Sequence, residues 1–153
     1  MSAGPTHESE RRSGPLLQHL ARRMQLRSES ALTPLGLRPR HLVALTVLRD
    51  SGGISQQGLA ATLQLDGTNV VGLLNELEAA GLVERRRSPE DRRRHVVSLT
   101  GTGTTRLREA ECGLAGAEDD VLSALTPDER NLLYDLLRRA SQGCAPPPCA
   151  ETC

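Results

Sequence analysis

The stretch that decides the fold runs from Ile54 to Thr100: ISQQGLAATL (54–63), QLDG (64–67), TNVVGLLNELEAAGLVE (68–84), RRRSPEDRRR (85–94) and HVVSLT (95–100). Ser55 is placed to cap a short helix through Leu63, since a serine hydroxyl accepts an N–H that a helix start leaves unpaired. Gln64-Leu65-Asp66-Gly67 is a short turn into a further helix that begins near Thr68. There Val70, Leu73, Leu74 and Leu77 recur at i, i+3, i+4, i+7, the strongest helical period in the chain. Gly81 suits the left-handed position that ends such a helix. Beyond it, Leu82 to Arg87 and Arg92 to Leu99 flank the turn residues Ser88-Pro89-Glu90-Asp91. His95, Val97 and Leu99 alternate with Val96 and Ser98, which predicts a β-hairpin. A helix, a tight turn, an amphipathic helix and a hairpin make a winged helix-turn-helix. The second helix of such a pair enters the major groove of DNA and the wing reaches beside it.

Upstream, Leu17, Leu20, Met24 and Ala31 predict a first helix from Gly14 to about Ala31, broken by Pro34 and Gly36. Pro39 opens a second, carrying Leu42, Leu45 and Leu48 and stopped at Gly52-Gly53. Downstream, a long helix spans about 102–124 with Leu107, Ala110, Leu114, Ala117, Val121 and Leu125 on one stripe, and its Gly103, Gly113 and Gly116 point to irregularity. Thr126-Pro127-Asp128-Glu129 is a capping box that starts a last helix, with Leu132, Leu133, Leu136 and Leu137 as its buried face and Gly143 at its end. The fold class is mainly α with a small β-hairpin wing. Residues 1–13 read as a loose, flexible segment, 14–142 as one domain with its winged-helix part at about 37–100, and 143–153 as a disordered tail rich in Pro and Cys. Residues 14–32 and 102–142 surround the winged helix and need a partner for their apolar stripes, so they read as the dimerisation helices of a homodimer.

Charge distribution supports a nucleic-acid partner. The 153 residues carry 19 basic and 19 acidic side chains, so the chain is not histone-like, yet every basic residue is Arg. Six of the 19 lie between Arg85 and Arg94, and with Glu84, Glu90 and Asp91 the segment from Glu84 to His95 nets +3 (six minus three). A projecting arginine-rich hairpin is a suitable counterion-releasing probe of duplex phosphates, and Arg fits the narrow minor groove of A·T-rich steps. Tyr134 is the one aromatic residue, which argues against a base-stacking platform. No apolar run approaches the ~20 residues of a membrane span, and the polar start has no secretory h-region. Cys112, Cys144, Cys149 and Cys153 do not form a disulfide framework, and Cys112 reads as a small buried apolar residue among Ala110, Leu114 and Ala117. A cytoplasmic protein with reduced thiols follows. His7, His19, His41 and His95 form no zinc spacing, and no cofactor fingerprint or nucleophile elbow is present, so neither a cofactor, a metal nor an enzyme is expected.

Ile54 to Leu63, Thr68 to Glu84 and Ser88 to Thr100 resemble the MarR family of winged-helix transcriptional regulators. The Asp91-Arg92-Arg93 motif before the strand ending Leu99-Thr100 is the most specific piece, and the LTPDER opening of the last helix (125–130) also fits. The resemblance covers about residues 16–142. It implies a homodimer with intertwined terminal helices on a pseudo-palindromic operator of double-stranded DNA, released by a small molecule or an oxidant. The DNA-facing set is then Ser55, Thr68, Asn69, Gly72, Asn75, Arg85, Arg87, Asp91, Arg92, Arg93, Arg94 and His95. Thr68 can hold a phosphate near a helix N-terminus, and Asn69 can bond an adenine edge. As the family motif suggests, Asp91 pairs with and aims Arg93, the best minor-groove residue. Arg92 and Arg94 are phosphate or alternate groove contacts, and His95 can touch a phosphate. The first two helices flank the family's usual effector pocket, which makes His19, Arg23 and His41 candidates for a small anionic or phenolic effector. Val71 and Gly72 stand where the family often has a polar or basic residue. That departure keeps open a protein-interaction module that has lost DNA binding, and the cysteines keep open a thiol-based redox regulator.

Overall fold

The computed structural model describes residues 11–143; the readings of residues 1–10 and of Cys144, Cys149 and Cys153 lie outside the described residues. Six helices and three strands follow one another as α1 (Ser13–Leu32), α2 (Pro39–Ser51), β1 (Ile54–Ser55), α3 (Gln56–Leu63), α4 (Gly67–Ala79), β2 (Val83–Arg87), β3 (His95–Leu99), α5 (Gly101–Val121) and α6 (Pro127–Gln142), with a 3-10 turn at Thr33–Leu35. The class is the expected one, mainly helical with a small antiparallel sheet. No described helix is long and apolar enough to cross a membrane.

The helix starts obey local chemistry. Ser55 Oγ accepts from Gly58 N–H at 3.0 Å, Asp66 Oδ1 from Asn69 N–H at 2.8 Å and Thr100 Oγ1 from Gly103 N–H at 2.9 Å. At α6, Thr126 and Glu129 form the reciprocal capping box read from LTPDER. The α4 start lies at Gly67, because Asp66, not a later residue, is the cap. Gly81 ends the α4 region in the left-handed conformation, φ +73°.

The core is aliphatic. Leu45, Leu48, Leu59, Val70, Leu74, Leu77, Val97 and Leu107 from α2, α3, α4, β3 and α5 are 0–1% exposed. All four α4 stripe residues are buried, as the period required. The sheet order is β1-β3-β2, so β3 is central: Val83↔Leu99 through Arg87↔His95 on one side, Ile54↔Val97 and Ser55↔Val96 on the other. The third strand, β1, is two residues long and sits directly against the Ser55 cap. Two residues carry no period-2 signal, so the hairpin was legible in sequence and its third strand was not.

α1 packs along α5. The α5 helix is uninterrupted despite its glycines, and Gly103 has a positive reason to be there. An added Cβ would lie 1.9 Å from the Leu82 carbonyl oxygen, so only glycine allows the start of α5 to lie on the chain between α4 and β2. Thr100 closes the same junction, its hydroxyl donating to Gly81 O at 2.6 Å and its N–H to Leu82 O at 3.1 Å. Arg49 of α2 pairs with Glu111 of α5, and Arg106 Nη1 donates to Leu35 O at 2.6 Å.

Two expectations are corrected. Cys112 is exposed; the buried stripe of α5 is Leu107, Ala110, Ala117 and Val121, and Cys112 lies two residues past Ala110, on another face. Leu132, Leu136 and Leu137 of α6 are 59%, 50% and 44% exposed rather than buried, and Tyr134 is 65% exposed. The α6 helix hangs from the end of α5 through Arg130 Nη1 to Asp119 Oδ1 at 2.6 Å and buries none of its residues within one chain.

Candidate nucleic-acid interface

With Val70, Leu73, Leu74 and Leu77 turned inward, α4 presents Thr68, Val71, Gly72 and Asn75 on its opposite face, again at i, i+3, i+4, i+7, and all four are exposed. Asn69 lies beside that stripe. Its Nδ2 donates to Asp66 Oδ2 at 2.9 Å, leaving its Oδ1 and a second N–H for a partner. The wing joins the stripe at its base: Arg85 Nη2 donates to Asn75 Oδ1 at 2.7 Å and Arg85 Nε to Glu78 Oε2 at 3.0 Å. Arg85 and Asn75, both expected to face DNA, thus satisfy one another and fix the wing against α4.

The wing turn is ordered by backbone and carboxylate. Ser88 N–H donates to Arg94 O at 2.8 Å, and Arg94 N–H to Asp91 O at 2.9 Å. Asp91 Oδ1 accepts from the Arg93 backbone N–H at 3.0 Å, while its other oxygen lies 3.7 Å from Arg94 Nε. The aspartate therefore pins the chain at Arg93 but pairs with the side chain of Arg94, a correction to the expected Asp91–Arg93 side-chain pair. Its two oxygens are taken by the N–H two residues on and the guanidinium three residues on. Arg86 pairs with Glu84 at 3.0 Å. Arg87, Arg92 and Arg93 have no side-chain hydrogen bond or ion pair among the described residues, so three guanidinium groups project from the wing uncompensated.

Because β1 pairs with β3, Ser55, Gln56 and Gln57 at the start of α3 face Arg93, Arg94 and His95 across a cleft of about 140 Å³. The sequence placed Ser55 as a cap and His95 in the wing; only the sheet brings them to one place.

The three effector candidates are not brought together. His41 is 7% exposed at the first turn of α2. Its Nδ1 accepts from the Arg38 N–H at 3.0 Å, so the proton is on Nε2, which donates to Glu76 Oε2 of α4 at 2.7 Å. Glu76 also accepts from Arg40 Nη2 at 2.7 Å. His19 and Arg23 are exposed on α1. Thirteen helical residues, roughly 20 Å of axis at 1.5 Å each, separate His19 from the end of α1 near which α2 begins. Helical spacing placed polar groups on two helices; it could not say that one of them caps its own helix.

This arrangement of helices and wing has known counterparts. The MarR family model matches residues 35–94. The HTH-type transcriptional repressor Rv2887 of Mycobacterium tuberculosis is 32% identical over 126 residues, 82% of this chain and 91% of that protein. The chain belongs to the MarR family. MarR members are transcriptional regulators, not enzymes. The HTH-type transcriptional regulator YdgJ of Bacillus subtilis (strain 168) is 35% identical over 104 residues; the match takes in 68% of this chain but only 63% of that relative's length. Among solved structures, the transcriptional repressor CouR bound to a 23-mer DNA duplex is 30% identical, with a TM-score of 0.70, covering 92% of this chain and 99% of that one.

Proposed function

We propose that this protein is a homodimeric repressor that docks on a pseudo-palindromic operator in double-stranded DNA, with α4 in the major groove and the wing in the minor groove. The observation that carries this reading is the fixed union of α4 and wing through Arg85 and Asn75, with Arg87, Arg92 and Arg93 left without side-chain partners among the described residues. Exposed arginines without an acidic neighbour stay solvated in the free protein and are available to phosphate or a narrow groove. Two MarR relatives named as repressors, one solved on DNA, support the same conclusion. The exposed leucines of α6 supply the dimer surface, since an apolar face of that size on one chain calls for cover. A two-fold dimer then sets two α4 helices about one DNA turn apart.

We infer further that an anionic or phenolic effector acts at the junction of α1, α2 and α5, where Arg49–Glu111 and Arg106–Leu35 tie the helices. The polar groups at that junction are Arg49 and Arg106; His41 bonds Glu76, and His19 and Arg23 lie roughly 14–20 Å back along α1 at 1.5 Å per residue.

The test is selection of duplexes from a random pool by the purified protein, followed by affinity measurement across salt. The expected result is a two-fold related site whose log affinity falls steeply with log salt. A salt-independent affinity would leave the winged helix as a protein-interaction module.

A further inference from the structure

The outward face of α4 has an unusual composition for a helix aimed at DNA. From Gly67 to Ala79 it holds no Arg, Lys or His, so it cannot make the bidentate arginine contact to guanine that dominates direct readout. Its two acids are engaged, Glu76 by Arg40 and His41 and Glu78 by Arg85. Asn75 Oδ1 is occupied by Arg85, and Asn69, beside the stripe rather than on it, has one N–H engaged by Asp66. Two features remain at the centre of the stripe. Val71 is 36% exposed where the other positions of the stripe are polar or glycine. At Gly72 an added Cβ would meet nothing within 4 Å, and its φ is an ordinary helical one, so neither packing nor backbone demands glycine in this helix interior. Glycine is the weakest helix former apart from proline. Its remaining use is to let something outside the molecule come close to the backbone beside Val71.

The wing states the chemistry of that outside partner, since its unpaired arginines adjoin the stripe through Arg85. On a duplex, the major groove offers one apolar group, the C5-methyl of thymine. We propose that Val71 reads a thymine C5-methyl group in each operator half-site, with Gly72 permitting the close approach. Recognition at the centre of the α4 stripe is thus apolar, while unpaired positive charge is confined to the wing. This rests on the reading that α4 enters the major groove.

The experiment uses the full-length protein and the operator obtained by selection. Thymines of one half-site and its mate are replaced pairwise by deoxyuridine, which removes the methyl and keeps the pairing. For the wild type, demethylating one two-fold related pair of thymines should cost roughly tenfold to twentyfold in affinity, the scale of one buried methyl in each half-site. Val71→Ala, an exposed change whose folding is checked by its melting curve, should bind the natural operator more weakly and change less than twofold on the same replacement. Gly72→Leu should weaken all operators. If every replacement leaves the wild type within twofold, or if Val71→Ala keeps the full sensitivity, the thymine contact is wrong while DNA binding stands. Recovery of no duplex by the wild type would overturn the DNA reading as well.

Discussion

His41 Nε2 lies 2.7 Å from Glu76 Oε2, so the first turn of α2 is bonded to the last turn of α4 by a side chain that also caps its own helix. The helix that carries the exposed stripe is thereby held to the rest of the domain by more than leucine packing. His41→Ala should lose two hydrogen bonds around a buried site, about 1–3 kcal/mol of stability by urea unfolding. It should also weaken DNA binding, because α4 loses a tether. A variant with unchanged stability and affinity would show that the leucine stripe alone sets the pose.

The same contact sets a pH dependence. The hydrogen bond from His41, reinforced by the Arg40 guanidinium, outweighs desolvation and holds the Glu76 carboxyl below the usual glutamate value. A carboxylate depressed in the folded state contributes stability that is complete above its unfolded value of about 4.3 and is lost as pH falls through the folded value. The stability gap between wild type and Glu76→Gln should therefore be constant at neutral pH and shrink on acidification below about pH 4.3. Urea titrations at a series of pH values decide it; a gap that persists unchanged to pH 3 contradicts the assignment.

Gly103 sits where a Cβ would strike the Leu82 carbonyl at 1.9 Å. Backbone cannot step aside as a side chain end can, so Gly103→Ala should cost at least the roughly 1–3 kcal/mol of an overpacked core. Because the strained junction links α4, the wing and α5, DNA affinity should fall with it. Gly116→Ala, with open space around its Cβ, is the internal control and should be neutral or stabilising.

Within the wing, the Arg93 side chain has no partner among the described residues and Arg86 is paired with Glu84. Arg93→Ala should cost about 1–3 kcal/mol of DNA affinity if it reaches a base edge, and Arg86→Ala much less. Binding isotherms at several salt concentrations separate the two roles, since loss of a phosphate contact also lowers the salt slope by about one.

For assembly, the double variant Leu132→Glu, Leu136→Glu places charge on the exposed apolar face of α6. It should be monomeric by light scattering and bind operator weakly, while the circular dichroism melt of the winged-helix part stays intact. A dimeric double variant would move the interface elsewhere.

The sequence by itself determined the elements and their order. Leucine and valine periods, the Ser55 cap, the Thr126 capping box and the turn at Ser88–Asp91 are local signals, so the α4 stripe, the hairpin and the α6 start are legible without neighbours. It also determined the charge contrast between an arginine-rich wing and a helix without a basic residue. Only the tertiary structure decided partners. Whether an arginine is free or paired depends on which acid another element brings within reach, so Arg85 went to Glu78 and Asn75, Asp91 to Arg94, and His41 to Glu76 rather than to a pocket with His19 and Arg23. The two-residue strand β1 and the demand for glycine at 103 likewise arise from segments distant in sequence meeting in space, where no periodicity records them.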